Sequence, residues 1–112
     1  MMERLRSKKD FQLVFNEGKK IEGEIIKIYY RRSGENRFNR IGISVSSKVG
    51  KAVFRNKIKR WIRESLRLIE KNYNKKFYGY DIVVSVKNNN LKHNFNYIKE
   101  SIVKSLKAAK II

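Results

Sequence analysis

The chain has no cysteine, no proline, a single histidine and only 10 Asp and Glu among 112 residues. Without cysteine there is no disulfide framework and no thiolate site, a composition that fits a reducing compartment. No apolar run approaches the roughly 18 residues a membrane-spanning helix requires, and the N-terminus has no signal-peptide apolar core. A soluble, cytoplasmic protein with no membrane partner is therefore expected. The few carboxylates are scattered, whereas hydrolytic nucleases work through a metal-binding carboxylate cluster or a histidine acid and base. His93 stands alone at an expected loop-to-helix junction, where a surface or capping role suffices. Gly-rich phosphate loops, nucleophile elbows and zinc spacings are also missing. The expectation is a chain with no catalytic residue, no metal site and no cofactor of its own. The lack of proline points to no function.

What is abundant is positive charge: 28 Lys and Arg give a formal net charge of +18. A field of that sign attracts phosphate backbones and makes binding steeply salt-dependent through counterion release, without naming a sequence. An apolar content of 41% at this length suits one small core, so residues 1–112 read as a single RNA-binding domain without internal repeats. Its organising stretch is Lys51 to Glu70, KAVFRNKIKRWIRESLRLIE. Wound at about 100° per residue, it gathers Phe54, Ile58, Trp61, Ile62, Ser65, Leu68 and Ile69 on one arc. Arg55, Lys59, Arg63 and Arg67 recur along its flank, Asn56 and Arg60 share the polar side, and Lys57 lies at the margin. Like charges one turn apart repel by a few tenths of a kcal/mol, and only Glu64 and Glu70 interrupt this row. A polyanion is the expected partner. The helix N-terminus, with its free amides beside Lys48 and Lys51, is a further expected phosphate site.

In chain order, Met1 to Arg6 is basic and expected to fray. Ser7 to Asp10 reads as a capping box opening a short helix that Gly18 stops. Within it Leu13 and Val14 point one way, while Phe11 and Phe15 form a separate aromatic edge that is either core or a second surface. Glu24 to Arg31 alternates as a strand, with Ile26, Ile28 and Tyr30 inward and Ile25, Lys27, Tyr29 and Arg31 outward. A turn at Ser33 to Asn36 leads to a strand at Arg40 to Ser46, with Ile41, Ile43 and Val45 inward and Arg40, Gly42, Ser44 and Ser46 outward. The small outward residues form either a floor for an extended nucleotide strand or a seat for a packed helix. Lys71 to Gly79 is a polar connection. A third strand, Tyr80 to Lys87, turns Tyr80, Ile82, Val84 and Val86 inward and ends at Asn88 to Asn90. The last helix starts at Asn94 or Asn96 and lays Phe95, Ile98, Ile102 and Ala109 over the sheet. With a further short strand at Lys19 to Gly23, the fold class is α+β, a small helix/sheet sandwich in the order α-β-β-(β)-α-β-α.

At this point the run KAVFRNKIKRWIRESLR resembles the signature helix of the bacterial ribonuclease P protein component, A-V-x-R-N-R-x-K-R-x-I-R. RLRSKKDFQLVFNEGKK resembles that family's opening R-L-x-x-x-x-D-F-x-x-V-F-x-x-G, and IGISVSSKVGKAV its G-x-S-V-S-K-K-x-G-x-A-V. The blocks agree in order and spacing over about residues 4 to 67; beyond them, Tyr80 to Val84 and Lys99 to Ile111 resemble the family's last strand and helix in pattern. Lys57 stands where the family usually has the second arginine of R-N-R, and Ser47 where a lysine is common. Lysine keeps the charge but lacks the planar fork that grips phosphate in two places.

The resemblance implies a protein that binds a large catalytic RNA and helps it remove the 5′ leader from precursor tRNA. The chemistry would belong to the RNA and to Mg2+ held by it. Arg55, Asn56, Lys57, Lys59, Arg60 and Arg63 would contact the catalytic RNA, and Lys48, Lys51 and Arg67 join them on charge and position. Phe11, Phe15 and Tyr29 would line a cleft for the single-stranded leader, to which strand alternation adds Lys27, Ser44 and Ser46. The resemblance also implies a left-handed β-α-β crossover around the basic helix, against the usual rule. It implies no protein partner. The alternative in another class is a structural, rRNA-binding ribosomal-type protein; a basic helix acting on membranes or DNA fits less well with a chain organised as a folded domain.

Overall fold

The computed structural model describes residues 2–33, 38–73, 76–86 and 94–112. Its first difference from expectation is at the N-terminus, which does not fray. Met2–Arg4 forms a strand, β1, in parallel register with Asn39–Val45. Leu5, just after it, is 6% exposed and donates its amide to the Ile41 carbonyl at 3.0 Å. Burying a leucine contributes roughly 1.5 to 3 kcal/mol, enough to hold a three-residue edge strand in place.

Ser7 caps the first helix, α1 (Lys8–Glu17), by accepting the Asp10 amide at 3.0 Å. Gly18 ends it through crowding, since its φ is an ordinary −82°. A Cβ there would lie 2.3 Å from the Val14 carbonyl oxygen and 2.7 Å from that of Tyr30. The chain then enters β2 (Lys19–Glu22), β3 (Ile26–Arg32) and β4 (Asn39–Val45). A 3-10 turn at Ser47–Val49 leads into α2 (Ala52–Asn72), followed by β5 (Tyr80–Val86) and α3 (Phe95–Ala108). Of the two candidate caps for α3, Asn94 serves, accepting the Tyr97 amide at 2.8 Å.

The strands form one mixed sheet in the order β1-β4-β5-β3-β2, with β1, β4 and β5 parallel and β5, β3 and β2 antiparallel. Parallel neighbours need a crossover, and α2 supplies the one from β4 to β5. The main core lies between the inward residues of the sheet, among them Ile26, Ile28, Ile82 and Val84, and a layer made by α2 and α3. A smaller apolar cluster of Leu5, Val14 and Val83 binds α1 to the other face. Asn39, fully buried, ties the corner together: its amide donates to Glu70 Oε2 at 2.9 Å and to the Phe77 carbonyl at 3.0 Å, and its oxygen accepts the Tyr80 amide at 3.0 Å.

Three inward assignments change. The buried arc of α2 is Ile58, Ile62, Ser65, Leu66 and Ile69, rotated toward Leu66 so that Leu68 falls at its margin and is half-buried. Ile25 was expected outward but is buried in the main core, because β3 begins at Ile26, two residues later than expected, and alternation does not apply in the bend before it. The connection expected to be polar contains the fully buried Phe77. The turn residues Gly34 to Asn36, Lys87, the Asn88 to Asn90 run and His93 lie outside the described residues.

Candidate nucleic-acid interface

On the face that carries α1, register sets three rows of side chains across the sheet. Arg31, Asp81 and Arg40 make the first; Lys20, Tyr29, Val83 and Gly42 the second; Glu22, Lys27, Ser85 and Ser44 the third. The first row is locked by charge. Asp81, 1% exposed, accepts from Arg40 Nε and Nη2, both at 2.8 Å, and from Arg31 Nη1 at 3.5 Å. Arg40 Nη1 also lies 3.7 Å from Asp10 Oδ2, near the start of α1, and the bond to Asp81 raises the guanidinium's pKa. In the second row Phe11 rests on Gly42, where a Cβ would come within 2.5 Å of its ring. Both readings of the small outward residues are realised along one strand, a helix seat at Gly42 and exposed floor at Ser44.

The wall above that floor is aromatic. Phe15, 41% exposed, meets Tyr29 edge to face at 4.6 Å and 85°, and Phe11 lies 6.4 Å from Phe15. Lys27 Nζ sits 5.9 Å from the Tyr29 ring centroid and 3.2 Å from Glu22 Oε1; its pKa is raised first by that carboxylate and then by Tyr29. Five of the six expected leader-site residues, Phe11, Phe15, Lys27, Tyr29 and Ser44, thus share one face. Ser46 stands at its end, with its Oγ accepting the Lys48 amide at 3.2 Å. Ser85, between Lys27 and Ser44, was not singled out; alternation already turned it outward, but its place depends on the strand order.

Past Ser46 the chain turns through Ser47–Val49 into α2, which packs on the opposite face of the sheet from α1. Lys51 caps α2 with no side-chain hydrogen bond, leaving first-turn amides for an anion. Asn56, Lys57, Arg60 and Arg67 are exposed, while Arg55, Lys59 and Arg63 are half-buried. Lys57 Nζ sits 5.1 Å from the Trp61 ring centroid, which holds the lysine that replaces the usual arginine. Arg55 Nε is buried with no partner among the described residues. Arg67 pairs with Glu64 at 2.5 Å. Burial pushes the Arg63 pKa down, and Arg4 adds to this by repulsion. Among the described residues no three His, Asp or Glu side chains form a group that could hold a metal ion. None of the described helices is long and apolar enough to cross a membrane.

A row of cations along one helix and an aromatic cleft on the other face of the sheet, on one small α+β domain, are the make-up of an RNA-binding protein. Comparison with known proteins narrows the class. The family model described as Ribonuclease P matches residues 2–110. The ribonuclease P protein component of Caldanaerobacter subterraneus is 38% identical over 104 residues, 93% of this chain and 86% of that protein. That of Thermotoga maritima is 45% identical over 82 residues, 73% of this chain and 67% of its own. The solved Staphylococcus aureus RNase P protein superposes with a TM-score of 0.82 at 33% identity, covering 96% of this chain and 95% of that one. The chain belongs to the ribonuclease P protein family.

Proposed function

We propose that this chain, as a protein subunit of ribonuclease P, holds two forms of RNA at once. The cationic face of α2 docks on the folded catalytic RNA, and the cleft between α1 and the open sheet row receives the single-stranded 5′ leader of precursor tRNA. The observation that carries this reading is the Phe11, Phe15 and Tyr29 wall standing over Lys27, Ser85 and Ser44. Rings stack on bases of any identity, a lysine meets phosphate, and hydroxyls accept or donate to sugar and base edges. Mature tRNA has lost the leader, so the cleft favours substrate over product. The protein's positive charge replaces counterions and lowers the magnesium the RNA needs, while bond cleavage and its metal ions are assigned to the RNA. The complex would act in the cytoplasm.

The test is cleavage of a precursor tRNA by a bacterial ribonuclease P RNA at low magnesium, with and without the protein, beside a protein-only control. Cleavage at the mature 5′ end only with both components is the expected result. A protein that binds RNA but changes nothing would return the reading to a structural, ribosomal type. Cleavage by protein alone would overturn the division of labour.

A further inference from the structure

Strand β1 forms one wall of a second cleft, of about 320 Å³, whose other wall is the middle of α2; Met2, Glu3, Arg4, Ile41, Arg60, Arg63, Glu64 and Arg67 line it. Alternation decides which way β1 presents its charges. Met2 packs on the main core and Arg4 registers with the core residue Ile41, so both turn toward α2. Glu3 registers with Arg40 and helps to hold that guanidinium's pKa up, so it turns toward the opposite face. On α2, residues 60, 63, 64 and 67 share one helix face. Glu64 is engaged by Arg67. Among the described residues no carboxylate pairs with Arg4, Arg60 or Arg63.

Arg4, Arg60 and Arg63 therefore line a partly apolar recess whose nearer carboxylate, Glu64, is already engaged by Arg67. Arg4 and Arg63 are close enough for one to depress the pKa of the other. An anion brought between them would remove that repulsion and gain forked hydrogen bonds. We infer that this cleft seats a phosphodiester of the catalytic RNA, with the adjoining sugar or base against Met2 and Ile41, so that Arg4 extends the RNA interface from α2 onto the N-terminal strand. The inference rests on the docking of catalytic RNA along α2. A nucleic-acid phosphate is favoured over a free anion or an acidic peptide because the cleft shares Arg60 and Arg63 with the α2 cation row, and its apolar floor suits a sugar or base.

The test uses the full-length protein and a bacterial ribonuclease P RNA, with affinity measured across a salt series. Arg4→Met keeps the aliphatic stem along β1 and removes only the charge; circular dichroism melting confirms that it folds. It should weaken binding about fivefold and reduce the log-log salt slope by about one. Arg4→Lys should recover part of the loss, and Lys107→Ala on α3 should change little. Combining Arg4→Met with Arg63→Ala should cost less than the product of the two single effects, because both hold one phosphate. An Arg4→Met protein no weaker than Lys107→Ala, while Arg55→Ala loses affinity, overturns the cleft and leaves α2 docking intact. If Arg55→Ala is also unchanged, docking on α2 fails and the cleft fails with it. A product of independent losses would overturn the shared site.

Discussion

Phe15 and Asp81 lie on the same side of the sheet, and their exposures separate their tasks. Phe15 is 41% exposed, so Phe15→Ala should weaken precursor tRNA binding by about 1 to 3 kcal/mol, the range for one stacked base. Catalytic RNA affinity should stay near the parent value, as should the melting temperature. Equal losses on both RNAs in a titration would make the ring core rather than cleft. Asp81 is buried and holds two arginines, so Asp81→Ala leaves half-buried cations without their carboxylate. The expected loss is about 3 kcal/mol of unfolding free energy in urea, a large part of the roughly 5 to 15 kcal/mol of a small domain. A change below about 0.5 kcal/mol would remove the ion cluster as an anchor of the fold. Asp81 could not be recognised as buried in the sequence, where alternation put it outward among polar neighbours. Its burial is made by Arg40, 41 residues earlier on another strand.

Local signals carried the elements. Ser7 and Asn94 cap as their side-chain chemistry requires, and the inward faces of β3, β4 and β5 follow period-two alternation over Ile26, Ile28, Ile41, Ile82 and Val84. Where pairing is long-range, the same signals fail. β1 has three residues, too few for a pattern, and exists because Leu5 is buried beside a strand that begins at Asn39. Phe11 and Phe15 were expected on an edge separate from Leu13 and Val14, but Phe11 packs on the cluster that holds Val14, and the division into a seat and an open cleft needed the register of Gly42 and Ser44. Gly18 links these levels, since it lets the end of α1 sit against the β3 backbone. Gly18→Ala would place a methyl group against two carbonyl oxygens of the backbone, neither able to rotate away. It should destabilise by about 1 to 3 kcal/mol and, by displacing α1 from β3, weaken precursor tRNA binding more than catalytic RNA binding. A variant with unaltered melting and leader preference would show that α1 can shift without disturbing the cleft.

At the scale of the whole molecule, the two surfaces should be separable by salt because different forces hold their ligands. Six cations on and before α2, Lys48, Lys51, Arg55, Lys59, Arg60 and Arg63, are assigned to docking, since Lys57 is held over Trp61 and Arg67 is paired with Glu64. If each neutralises one phosphate, log affinity for the catalytic RNA falls with log salt at a slope near about −5, roughly a thousandfold between 50 and 200 mM. In the cleft Lys27 stands among three rings and two serines and is already shared with Glu22, while Lys20 lies beside Tyr29 on the edge strand. One or two phosphates on a single strand give a slope of about −0.7 to −1.4, so the preference for precursor over mature tRNA should fall only about three- to sevenfold across the same range. Binding of both tRNAs to the assembled complex, measured at each salt concentration with magnesium held fixed, separates the terms: the shared loss reports charge, and the ratio reports the cleft. A ratio that collapses as steeply as the catalytic RNA affinity would mean that the leader is held by the +18 field rather than by Phe11, Phe15 and Tyr29. In that case Phe15→Ala should leave the ratio untouched at any salt. A flat ratio that Phe15→Ala lowers by the same factor at 50 and 200 mM assigns leader recognition to stacking.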